Sequence, residues 1–208
     1  MFTNIFRQRL TASIAIAFTF VLCACSSVSH GSNESASAAT AAAPVTERPL
    51  ILAQDQGTVL VWRPLASESA MEKKLDTLSH FIIKVDKQTG GSPDFWFGTE
   101  TLPVGAGIPF HRHLHEDELL YIISGSAHVQ VGSLESDAGP GATVFIPRNT
   151  WVSLQPIRKT PISLIFAFNA RGFDRYMRCE SVPLGERPRL VTTEEDQRCM
   201  KLGDVQYR

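Results

Sequence analysis

Gly105-Ala-Gly-Ile-Pro-Phe-His111-Arg-His113-Leu-His-Glu-Asp-Glu118-Leu-Leu-Tyr-Ile-Ile-Ser-Gly125 is the stretch that decides how this chain is read. His111 and His113 stand two apart, and on a strand residues two apart point to the same face. Glu118 opens the β-prone run Glu118–Ser124 after a short polar turn. An antiparallel return would bring its carboxylate beside both imidazoles. Two His and one carboxylate make a facial set suited to a divalent metal with positions left open. His115 shares the parity of His111 and His113 only if the strand continues that far. With Glu116 and Asp117 beside it, it reads as a residue of the exposed turn.

Outward from this stretch the chain alternates short β-prone runs with Gly, Pro and Asn punctuation. The runs are Thr58–Trp62, His80–Val85, Asp94–Leu102, Ala127–Val131, Thr143–Ile146, Trp151–Leu154 and Ile162–Phe168. His128 falls out of phase with Ala127, Val129 and Val131, so it faces outward. Many short strands at this spacing predict a sandwich or barrel. The tail differs. Phe173 to Cys179 suits a short helix. Thr192 or Thr193 can cap a second, with Glu194, Glu195 and Asp196 in its first turn and Gly203 past its end. Both helices are expected against the barrel's outside.

The decisive stretch also resembles the first conserved motif of the cupin superfamily: Gly, five residues, His-x-His, four residues, Glu, six residues, Gly. Gly105, His111, His113, Glu118 and Gly125 occupy every fixed position. The resemblance implies an all-β, double-stranded β-helix (jelly-roll) barrel over residues 50–172, which leaves the helical tail read above as an extension over 173–208. It also implies that His111, His113 and Glu118 are metal ligands. A second cupin motif is present but altered. Gly141 and Pro147 match it, and Asn149 replaces a Gly at a place where Asn tolerates positive φ. Val152 stands where the fourth ligand, a His, belongs, and Pro156 where an Asn belongs. The expected cofactor is iron, manganese, nickel or zinc in a site short of one imidazole.

Phe110, Leu120, Ile122, Val152 and Leu154 are the expected pocket lining, with Trp96 or Phe97 from a neighbouring strand. Arg112 and Arg148 are expected at its mouth, to attract an anion. The leading functional reading is a cupin that binds a small molecule beside a degenerate metal site. The alternatives are a metal-dependent, dioxygenase-type enzyme and a metal-free binding or structural module. Leu119, Tyr121 and Ile123 would suit the sheet of a second copy in a homodimer.

The 208 residues are 43% hydrophobic, and nothing in the balance of 20 basic against 21 acidic side chains suggests a nucleic-acid binder, which would need a basic face. A serine nucleophile elbow, a phosphate-cradling Gly loop and a zinc-spaced cysteine pair are all missing from the sequence. Arg7 and Arg9 precede an apolar run, Leu10 to Leu22, too short to span a bilayer and suited to a signal peptide over 1–24. It ends Leu22-Cys23-Ala24-Cys25, which resembles a bacterial lipobox and implies lipidation of Cys25. Ser26 after it, rather than Asp, leans towards the outer membrane, facing the periplasm. Residues 25–49 are rich in Ser and Ala and read as a tether. Export would allow a disulfide between Cys179 and Cys199.

Overall fold

The computed structural model describes residues 47–64, 79–169 and 172–208. The expected signal peptide, the lipidated Cys25 and nearly all of the tether lie outside the described residues.

Two antiparallel sheets pack face to face as a jelly roll. Along the chain come β1 (Thr58–Trp62), β2 (His80–Val85), β3 (Trp96–Leu102), β4 (Ile108–His113), β5 (Glu118–Ser124), β6 (Ala127–Val131), β7 (Leu134–Ala138), β8 (Thr143–Ile146), β9 (Val152–Pro156) and β10 (Ile162–Phe168). The tail adds α1 (Phe173–Cys179), β11 (Ser181–Pro183), α2 (Thr193–Gly203) and β12 (Val205–Tyr207). The larger sheet runs β11-β1-β2-β3-β10-β5-β8, and the smaller runs β12-β4-β9-β6-β7.

Period-two alternation drives both sheets inward. On β10, Ile162, Leu164, Phe166 and Phe168 are buried, with half-buried residues between them. On β5, Glu118, Leu120 and Ile122 face in, while Leu119, Tyr121 and Ile123 face out. Trp96 stacks on Phe168 with ring centroids 4.3 Å apart and planes within 4°. This stack anchors the core at the level of Glu118, which pairs with Phe168 across the sheet.

Gly125 turns the chain from β5 into β6 at φ 82°, where a side chain would meet the Pro161 carbonyl oxygen at 2.4 Å. No other residue fits both the backbone angle and the space. Three strands, β7, β11 and β12, were not read from the sequence. β7, Leu-Glu-Ser-Asp-Ala, carries no apolar alternation because it is an exposed edge, joined to β6 through a tight turn at Gly132 and Ser133.

The tail does more than extend the barrel. β11 pairs with β1, and β12 pairs with β4 in the register Val205↔His113 and Tyr207↔His111. α2 starts with a full capping box, Thr192 and Glu195 each bonding the other's backbone N–H. Gly203 is its last helical residue rather than the residue beyond it, and Asp204 takes the left-handed cap at φ 57°. Gly203 is where α1 and α2 touch, since a Cβ there would lie 2.1 Å from the Tyr176 Cβ. The Cys179–Cys199 disulfide joins the same two helices.

The helices were expected on the outer wall. Instead, α1 turns its apolar side into the space between the sheets. Phe173, Tyr176 and Met177 are buried and face the inner cavity, because the barrel end near Trp96 offers an aromatic surface for them to cover.

Candidate metal centre and cavity

β4 carries His111 and His113 on its inner face, and β5 returns with Glu118. One potential ligand atom from each of the three lies within 4.8 Å of the others, and all three residues are buried. His113 Nε2 is 3.4 Å from Glu118 Oε2. The His111 Nδ1 stands 2.9 Å from the Pro109 carbonyl oxygen. A carbonyl only accepts, so Nδ1 carries the proton and Nε2 keeps its lone pair for a ligand. Burial, with His113 beside it, pushes the His111 pKa down to about 4, so the ring is neutral at pH 7.

The three residues fit a divalent metal on a direct observation. His113 Nδ1, His113 Nε2 and Glu118 Oε2 are buried without a hydrogen-bond partner. Buried polar atoms are normally satisfied, and a cation would satisfy the Glu118 oxygen together with one of the two His113 nitrogens. The backbone around them is held firmly. Asn149 adopts φ 61°, and its N–H donates to the His113 carbonyl oxygen at 2.6 Å. An Asn thus takes the left-handed turn where the cupin motif has Gly.

Val152 is the Cα partner of His111 across β4 and β9, and it is buried. An aliphatic side chain therefore stands beside the imidazole. His115 supplies no fourth ligand. Its exposed ring bonds Asp204 at 2.7 Å, on the far side of the turn. His128 faces outward towards Asp137 and Glu135.

A cavity of about 850 Å³ borders His111 and Glu118. His111, Glu118, Leu120, Leu164, Phe166 and Phe168 form its inner wall, and Phe173, Tyr176, Met177 and Tyr207 close it from the tail. Of the residues expected to line the pocket, Leu120 does so. Ile122, Val152, Leu154 and Trp96 are packed into the core without reaching the cavity. Phe110 and Phe97 point the other way, because they alternate with His111 and Trp96. Phe110 lies against Arg208, and Phe97 stacks on Phe95 outside.

The two arginines expected at the mouth are engaged elsewhere. Arg148 forms a two-pronged pair with Asp117 at 2.8 and 3.1 Å, which holds the Asp117 carboxyl well below its usual range. Arg112 bonds Gln206 and covers the Trp151 ring.

Several important side chains were missed in the sequence reading. Glu116, read as part of an exposed turn, is only 2% exposed. Its Oε2 accepts from Trp96 Nε1 at 3.0 Å and its Oε1 from the Phe173 N–H at 2.7 Å. It ties α1 to the barrel core. Burial raises its pKa against the lowering effect of those two bonds. Glu100 and Trp62 reach the cavity from β3 and β1, and Tyr207 arrives from the last strand. For Glu100, alternation with Trp96 and Leu102 could have marked it as inward-facing.

Residues 98–168 match the cupin domain family. No curated protein sequence matches the chain. Similar solved structures include KdgF from a Halomonas species, with 17% identity, a TM-score of 0.39, and coverage of 45% of this chain and 80% of that one. A predicted oxalate decarboxylase from Thermotoga maritima is 17% identical at a TM-score of 0.41, covering 45% of this chain and 81% of its own. The cupin domain of Schizosaccharomyces pombe Cnp3 is 16% identical at a TM-score of 0.41, covering 59% and 95% respectively. The cupin-domain match over 98–168 falls on the part of the jelly roll from β3 to β10 and includes His111, His113 and Glu118.

Proposed function

We propose that this protein is an exported, lipid-anchored cupin that binds a small organic molecule in its barrel next to a divalent metal held by His111, His113 and Glu118. The carrying observation is the cluster itself: one potential ligand atom from each of three buried residues within 4.8 Å, with both His113 nitrogens and one Glu118 oxygen lacking a hydrogen-bond partner. Three protein ligands leave coordination positions, and His111 and Glu118 both border the cavity. A ligand in the cavity therefore lies next to the ion. The metal would supply Lewis-acid or redox chemistry there. The chain itself supplies a neutral His111, a water-poor aromatic wall and a carboxylate.

The test is metal analysis. After equilibration with iron, manganese, nickel or zinc and desalting, the wild type is expected to retain one equivalent of at least one of them. His113→Ala should lose it. A wild type that retains none overturns the reading.

The second reading is a dioxygenase-type enzyme, favoured by the open side of the triad facing an apolar cavity. Oxygen uptake with phenolic substrates, abolished by His113→Ala, would support it. Export rests on the N-terminal sequence and is supported by the Cys179–Cys199 disulfide, which suits an oxidising compartment. Cys25→Ala should move the protein from the membrane fraction to the soluble fraction. A homodimer through Leu119, Tyr121, Ile123 and Phe145 is supported by the exposure of these four apolar side chains.

A further inference from the structure

Building on the cavity reading above, we propose that Glu100 is the ligand-recognition group at the end of the cavity away from the triad. The ligand is then a compact, mostly apolar molecule bearing an alcohol or amine, and without a carboxylate or phosphate.

Glu100 faces inward from β3 and borders the cavity. Its Oε1 accepts from Trp62 Nε1 at 2.9 Å and from Ser79 Oγ at 2.8 Å. Both donors converge on one oxygen, which fixes the carboxyl plane and leaves Oε2 as the oxygen that neither of them engages. Such pre-organisation suits recognition, because the group loses little freedom when a ligand arrives.

Strand register separates this group from the metal ligands. Glu118 lies across from Phe168 on β10, and Glu100 lies across from Leu164. Four residues of strand correspond to about 13 Å of backbone along the barrel, although the two carboxyls stay near enough for the Glu118 charge to help raise the Glu100 pKa. Between the two levels the wall is apolar, with Leu120, Phe166 and Met177 facing the cavity. The cavity thus has two polar poles and a greasy middle, a common plan for small-molecule sites.

The sign of the charge selects the ligand. Glu100, Glu118, Glu180 and Asp196 all border the cavity, against Arg63 and Arg208. Both arginines have contacts away from Glu100, although the Arg63 Nε has no hydrogen-bond partner. Arg63 donates to the Cys179 carbonyl oxygen at 2.7 Å and lies 3.9 Å from Glu195. Arg208 covers the Trp151 ring at 4.3 Å. The four acids outnumber the two arginines along the wall, so an anionic ligand would meet net repulsion there. Burial also pushes the Glu100 carboxyl up from its ordinary value. An alcohol satisfies it in either state, accepting from the acid or donating to the carboxylate. An ammonium draws out the carboxylate form.

The test uses the purified full-length chain and three probes on one carbon frame: 4-phenylbutan-1-ol, 4-phenylbutylamine and 4-phenylbutanoate. Calorimetry should show the alcohol and the amine binding about tenfold more tightly than the carboxylate. Glu100→Gln should shrink the gap between amine and carboxylate to about threefold or less. Ser79→Ala, which removes one anchor and no charge, should weaken both donor probes several-fold and serves if Glu100→Gln does not fold. Carboxylate binding as tight as the alcohol overturns the proposal. So does no binding by any probe at millimolar concentration, or an unchanged order in the variant that folds. Repeating the titrations on His113→Ala separates the two readings. A donor preference that survives there stands without the metal, whereas its absence in a wild type that retains metal removes Glu100 alone.

Discussion

The Phe173 ring meets the His113 imidazole edge to face, with centroids 4.3 Å apart and planes at 70°. Phe173 opens α1, so the first helix after the barrel presses directly on a candidate metal ligand. It also stacks near His111 at 6.2 Å and on Tyr176 at 5.4 Å. Phe173→Ala should cost about 3 kcal/mol of stability, from lost burial and the void left behind. Urea denaturation measures this. Metal affinity should fall in parallel, because the His113 ring loses the surface that fixes its orientation. Unchanged affinity would mean that the ring is positioned by the sheet alone.

Glu116 holds this helix in place. Glu116→Ala would leave the Trp96 indole N–H and the Phe173 N–H buried without acceptors. At about 1–3 kcal/mol for each orphaned donor, a loss near 3 kcal/mol is expected. Glu116→Gln keeps one good acceptor oxygen and should cost less than the Ala variant. Equal losses in the two variants would remove the hydrogen-bond explanation.

Val152 faces His111 across the sheet in the place where the cupin motif has a fourth ligand. Val152→His should tighten divalent metal binding by about tenfold or more, measured by competition with a chelator. The same change puts a polar ring into a packed position, so metal-free stability should drop. A variant that folds but binds metal no better would show that position 152 does not reach the ion.

His111 makes metal-free stability depend on pH. Its folded pKa is about 4, below the unfolded value of 6.5. Between those values the unfolded chain binds the proton and the folded chain does not. Stability is therefore complete above pH 6.5 and is lost as pH falls towards 4, by about 3 kcal/mol at most. The difference between wild type and His111→Gln, followed by denaturation in the presence of a chelator, isolates this contribution. A difference that stays flat across pH 4 to 6.5 would contradict it.

The disulfide closes a loop of about twenty residues and ties α1 to α2. Replacing Cys179 and Cys199 with Ser should cost about 3 kcal/mol. Because α1 and α2 both border the cavity, probe binding should weaken as well. Retained probe affinity would place the bond's role in stability alone.

Much of the barrel was legible because strand alternation is a local property. Ile162–Phe168 and Glu118–Ser124 carry their inner and outer faces in their own residues, and the His-x-His spacing puts two imidazoles on one side whatever the partner strand. β7 was not legible, because an edge strand facing water needs no apolar pattern. The pocket was harder still. Ile122, Val152 and Leu154 were correctly inward in phase, yet phase does not tell packed core from open cavity.

The sequence by itself determined the inward-facing strands of the barrel, the turn residues and the convergence of His111, His113 and Glu118, since each follows from short-range geometry and a spaced motif. Only the tertiary structure decided what surrounds them. Glu116 turned inward because two buried donors were waiting for its carboxylate. Phe173 and Tyr207 entered the cavity because the tail folds back across the chain onto β4 and the aromatic end of the barrel. Those contacts join residues far apart in sequence, so burial and hydrogen-bond satisfaction across the whole fold, rather than any local pattern, selected them.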